Sequence, residues 1–136
     1  MANPQVRAVV RALERVSERA IVKITLDVVA NLVEATPVDV GWARANWVPS
    51  IGTPFLQDLS GVEPTSSATS AAAASQQSAI GGVVAGYKLR SGSVFVSNNV
   101  PYITALNDGS SKQAPAGFVQ AAIRKAVTED FRGFTG

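Results

Sequence analysis

Apolar residues recur through the first quarter of the chain with the period of a helix. Val6, Val9, Val10, Leu13, Val16 and Ala20 fall on one face, the i, i+3, i+4 spacing of an amphipathic helix. Asn3 is suited to cap such a helix and Pro4 to begin it. Pro37 turns the chain away from helical geometry, so a long helix is expected over residues 4–34. At 1.5 Å per residue it would reach ~48 Å. Its second half differs from its first. Ile21, Val22, Ile24, Leu26, Val28, Val29, Leu32 and Val33 point in every direction, and a helix that is apolar all round is covered all round. One small domain offers too little cover, so neighbouring copies are expected to supply part of it.

The rest of the chain alternates short elements with polar breaks. Asp39 is placed to cap a short helical piece running to about Ala45. Trp47 to Ile51 reads as a short strand, with Pro49 confining it to a sheet edge. Residues 53–66 read as loop. Residues 67–85 are rich in Ala and Ser and are expected to form a second helix, weakened by Gly81, Gly82 and Gly86. Residues 93–131 read as one strand–helix–loop–helix block. Ser93-Val94-Phe95-Val96-Ser97 reads as a strand over 93–97. Asn98 and Asn99 are expected to cap a short helix in which Val100, Ile103 and Leu106 share a face, and Gly109 to stop it in a left-handed turn. A last helix over Phe118 to Phe131 should turn Val119, Ala122, Ile123, Ala126 and Val127 inward and Arg124 and Lys125 outward, leaving residues 132–136 as a frayed tail. The fold class expected is α+β in a single domain of 136 residues. It has a long N-terminal helix, a small antiparallel sheet, an Ala-rich helix, a short helix and a C-terminal helix.

Composition narrows the chemistry. The chain has no Cys and no His. Disulfides, thiolate sites, the commonest general base and the commonest metal ligand are therefore all missing. The ten acids are scattered, with only Glu129 and Asp130 adjacent, and adjacent residues on a helix do not face each other. No enzyme activity, cofactor or metal is expected. Gly109-Ser110-Ser111-Lys112 lacks the glycine spacing of a phosphate loop and follows a helix rather than a strand. Ser111 with Lys112 as base would make a hydrolase pair, the weakest of the functional alternatives, because nothing specifies its geometry. The uncharged run from Pro64 to Tyr87 is Ser, Ala, Gln and Gly, too polar for a membrane span.

The net charge is +2, which permits contact with nucleic acid without arguing for it. The most prominent charge feature is Arg7, Arg11, Arg15, Arg19 and Lys23, each four residues after the last. Such a row drifts ~40° per step around a helix, so it winds rather than forming a flat patch. It is either a phosphate-contacting face or a solvated face, with Glu14 and Glu18 placed to pair with Arg11 and Arg15. Trp42, Arg44 and Trp47 are either anchors at a partner surface or core tryptophans with Arg44 neutralising Asp39.

Three segments carry a family resemblance. Thr36-Pro37-Val38-Asp39-Val40-Gly41 with Arg44 resembles a "TPVDTG…R" turn. Ala85-Gly86-Tyr87-Lys88, leading to Ser97-Asn98-Asn99, is similar to an "AGYK…SNN" run. Pro101-Tyr102, Leu106, Gly109-Ser110-Ser111, Gln113-Ala114-Pro115 and Gly117 match a "PYxxxLxxGSSxQAPxG" block. Together they resemble the neck and tail-completion proteins of long-tailed bacteriophages, similar in kind to the lambda minor tail protein Z. Val40 replaces the usual Thr, and Trp42 is large for its position. The resemblance implies a structural virion protein in the neck and tail region, assembled in the host bacterial cytoplasm. It would form a ring of six copies between the head-closure or connector proteins and the tail tube or tail terminator, with DNA in the lumen. Trp42, Arg44, Trp47, Ser110, Ser111, Lys112, Gln113 and Pro115 are the expected subunit or partner contacts. The alternative is a small nucleic-acid-binding protein using the basic face of the first helix.

Overall fold

The computed structural model describes residues 3–37, 42–56, 82, 84–112 and 114–135. Helix α1 (Pro4–Ala35) leads, followed by α2 (Trp42–Ala45), β1 (Val48–Ile51), a single 3-10 turn (Leu89–Ser91), β2 (Val94–Ser97), α3 (Ile103–Asn107) and α4 (Phe118–Thr135). The chain has an α+β fold with a long N-terminal helix and a small antiparallel sheet. The Ala-rich segment 67–85 and most of the loop 53–66 lie outside the described residues, although Val84 and Ala85 are helical and Val84 is fully buried.

Local chemistry explains the ends of these elements. The Asn3 side chain accepts from the Val6 amide at 2.9 Å, and Pro4 opens α1, so one orphan amide is satisfied where the ring of proline costs nothing. β1 and β2 pair antiparallel, with Val48 opposite Ser97 and Pro49 opposite Val96. A two-stranded sheet has only edges, which is where Pro49 is tolerated. At the end of α3, Gly109 adopts a φ of +98°. Its amide donates to Leu106 and that of Ser110 to Ala105, the paired closing bonds of a Schellman stop. A Cβ on Gly109 would lie 3.2 Å from the Cβ of Ala116, a tight contact that adds to the strain of a positive φ.

The core lies where α4 runs back along the second half of α1. Val28, Leu32, Trp47, Ala114, Phe118, Ala122 and Ala126 form it, flanked by Ile24, Val33, Val96 and Leu106. The second half of α1 is thus covered largely by its own chain. The first half is exposed instead. Val9, Leu13 and Val16 stand 59%, 61% and 57% accessible. The reason is length. Lys23 on α1 meets Asp130 on α4, after which α4 continues only to Thr135 while α1 has residues 4–22 still to run. That is about 8 Å of helix set against about 28 Å.

Several expectations are corrected. The last helix reaches Thr135, so residues 132–135 of the tail are helical and Gly136 lies outside the described residues, and Ile123 is exposed. Asn98 and Asn99 do not cap α3, which begins after Tyr102 without a side-chain cap. Asn98 instead accepts from the Val100 amide at 3.1 Å and donates to the Ala43 carbonyl at 2.8 Å, while Asn99 donates to Phe55 O at 2.7 Å. They tie the segment after β2 to α2 and to Phe55.

Candidate assembly surface

Three features of the surface could carry an interaction: the projecting arm of α1, the loop 108–117, and an ion-paired joint between α1 and α4. The arm starts at the Asn3 cap, and every residue from Pro4 to Leu13 is exposed. Farther along, Glu18 is held from the side. Its Oε1 accepts from the Leu89 amide at 3.1 Å, and its Oε2 lies 3.8 Å from Lys88 Nζ. Glu18 therefore pairs with Lys88 rather than with Arg15, because the 3-10 turn brings an amide and an ammonium to it together. Arg7, Arg11, Arg15 and Arg19 make no ion pair among the described residues. A groove of about 650 Å³ opens beside them, lined by Arg15, Glu18, Arg19, Lys23, Tyr87 and Lys88 among others.

Lys23 departs from the other four cations. Its Nζ lies 2.7 Å from Asp27 Oδ2 and 2.7 Å from Asp130 Oδ1. The hydrogen bonds to Asp130 and then Asp27 raise its pKa above the ordinary ammonium value. The same hydrogen bond from Lys23 holds the Asp27 carboxyl below the usual carboxylate range. Asp130 is buried, and its Oδ2 has no hydrogen-bond partner among the described residues. Sequence reasoning passed over Asp130. The signal was present, since Asp130 continues the inward spacing of Ala122 and Ala126, and a buried acid requires a cation.

This joint should act as a pH-limited clamp. A depressed Asp27 pKa contributes stability above the ordinary carboxylate value and loses it as pH falls through the folded value. A raised Lys23 pKa contributes below the ordinary ammonium value and loses it as pH rises through the folded value. The contribution is therefore fully present between the ordinary values, 3.8 and 10.5. Melting temperatures of wild type and Lys23→Met should differ by a constant amount inside that window and converge on its acid side.

The loop 108–117 is drawn tight at both ends. The Gly117 amide donates to Asn107 O at 2.7 Å, and the Val119 amide to Asn107 Oδ1 at 3.0 Å. Asn107 Nδ2 donates to Gln120 at 3.0 Å, so one residue ties the end of α3 to the start of α4. Asn107 was not among the residues expected to matter. Ala114 is buried in the core while Ser110, Lys112 and Pro115 are exposed and Ser111 is half-buried. Gln113 lies outside the described residues.

The first tryptophan cluster is dispersed. Trp47 is a core residue whose indole N–H donates to Thr36 Oγ1 at 2.8 Å, the core placement of the two alternatives. Arg44 Nε donates to Val33 O at 2.7 Å, completing a carbonyl near the end of α1. Asp39 and the Trp42 side chain lie outside the described residues. Tyr102 has its pKa raised by partial burial, opposed by a backbone hydrogen bond from Ala43.

Among the described residues no group of three or more acids could hold a metal ion, and no helix is long and apolar enough to cross a membrane. Comparison with protein-family models, curated proteins and solved structures finds no match to this chain in any of the three.

Proposed function

We propose that this chain is a structural subunit of the neck of a long-tailed phage. Copies form a ring that completes the tail and joins it to the head connector, and DNA passes through the lumen without sequence-specific contacts. The observation that carries this reading is the arm. Val6, Val9, Val10, Leu13 and Val16 are all exposed on one face of a rigid helix, and a contiguous apolar surface of this kind marks a site of association. The loop 108–117 supports it from the other end of the molecule. A loop pinned by Asn107 and stiffened by Pro115 loses little ordering entropy on contact, which suits docking against an adjacent ring. Ser110, Ser111, Lys112, Gln113 and Pro115 are the contacts proposed there. A phage lacking this chain should yield filled heads and tails that fail to join. Infectious particles at normal titre would defeat the proposal.

A second reading is favoured by one observation. Arg7, Arg11, Arg15 and Arg19 are exposed and make no ion pair among the described residues, leaving four cations free to meet phosphates. In that case affinity for duplex DNA falls steeply with salt, and replacing the four by Gln flattens the dependence by about one unit of slope for each phosphate no longer neutralised. Lys23 is excluded from this set by its two carboxylates. If the Gln variant keeps both duplex affinity and salt slope, the arginines have no part in binding nucleic acid.

A further inference from the structure

The exposed face of the α1 arm carries a repeat more specific than general apolarity. Val6, Val9, Leu13, Val16 and Ala20 recur at alternating steps of three and four, the first and fourth positions of a coiled-coil heptad. The next two positions of the same repeat are Lys23 and Asp27. There the repeat turns polar, because α4 has arrived and Lys23 donates to both Asp27 and Asp130. The repeat ends there: its next two positions, Ala30 and Glu34, are exposed, and α4 covers Val28 and Leu32 on a neighbouring face, so the apolar seam of the arm has no partner within its own chain.

We infer that the continuation is filled by the same segment of one neighbouring copy, the two arms lying parallel and seam to seam, paired around the ring so that the lumen stays open. Three features point to a second copy of this chain. First, the spacing is self-complementary, since knobs from one such seam fit the holes of another. Second, three of the four arginines stay out of it. With Val6 in the first position, Arg7, Arg11 and Arg15 take the second, sixth and third positions, all turned away from the seam, so identical helices bring no row of like charge together. Third, apart from Val10, which lies beside the seam on the same arm, the other exposed large apolar side chains among the described residues are Leu26, Leu56, Leu89, Ile123 and Phe131. They are scattered over several elements and form no strip as long. The parallel sense rests on the ring reading given above, because rotation about a single axis keeps every arm pointing the same way along it.

The absence of cysteine makes a clean test. Single variants Val9→Cys, Leu13→Cys and Val16→Cys of the full chain should form covalent dimers in high yield under mild oxidation, whereas Arg11→Cys should not. Val6→Cys and Ala20→Cys, near the two ends of the seam, should cross-link as well if the arms are parallel. Leu13→Glu should reduce the native mass to that of one chain, 14.1 kDa, with an unchanged far-ultraviolet spectrum, since Leu13 belongs to no part of the core. Equal cross-linking at Arg11 and Leu13, or a Leu13→Glu protein of wild-type mass, overturns the inference. Rings that assemble without any seam cross-link overturn the seam and leave the neck reading standing. Seam cross-links in a particle that never closes into a ring uphold the seam and defeat the neck reading. A wild type that stays at 14.1 kDa at every concentration defeats both.

Discussion

Trp47→Ala will lower the free energy of unfolding by about 3–5 kcal/mol. The indole is 6% accessible and lies in the cluster formed by Val28, Leu32, Phe118 and their neighbours. Its removal leaves a cavity that a small core has few ways to close. It also removes the donor to Thr36 Oγ1, a hydroxyl that itself donates to the Leu32 carbonyl. Trp47→Phe separates the two effects. It keeps most of the ring volume and loses the N–H together with a small part of the indole, for a cost of about 1–2 kcal/mol. Denaturant titration should register both as midpoint shifts with an unchanged slope. Domains of this size have ~5–15 kcal/mol in hand, so Trp47→Ala leaves little margin. A loss below ~1 kcal/mol would mean that the indole is not enclosed as described.

Phe118→Ala should cost a similar amount, about 3–5 kcal/mol. Phe118 is the first residue of α4, and it is nearly fully enclosed beside Ala114. It therefore fixes the start of the helix and the end of the loop 108–117 at once. In the double variant with Trp47→Ala the two losses should sum to less than their separate values, because both side chains line one cluster and the second truncation enlarges a cavity already made. Strict additivity would place the two residues in independent environments. Neither substitution touches the α1 arm. Any folded fraction should therefore keep the native mass of the wild type, which separates damage to the fold from damage to assembly.

Much of the fold was legible because its signals are local. Asn3 and Pro4 fix where α1 begins, since both act on amides within one turn. Gly109 fixes where α3 stops, because the backbone there takes a φ that other residues rarely adopt. The strand around Val96 was readable from alternation and the one around Pro49 from its residues, and a small antiparallel sheet was expected, but the register that sets Val48 opposite Ser97 was not legible. The inward face of α4 was read correctly at Ala122 and Ala126, and it missed at Ile123, which lies at the margin of the stripe where the neighbouring element decides burial.

The candidate site was less legible, and the reason is range. Amino-acid order alone determined that this chain has a long helical rod with one apolar face, a glycine-stopped short helix, a proline-stiffened polar loop, and no thiol or imidazole for catalysis. Each of these follows from chemistry acting within a few residues. Only the tertiary structure decided that Trp47 faces inward, that Arg44 closes the end of α1, and that Lys23 leaves the arginine row to join Asp130, 107 residues away. It also decided which half of the rod was left bare. Helix α4 is shorter than the face it covers, and a difference in length between two elements far apart in sequence appears only once they lie side by side.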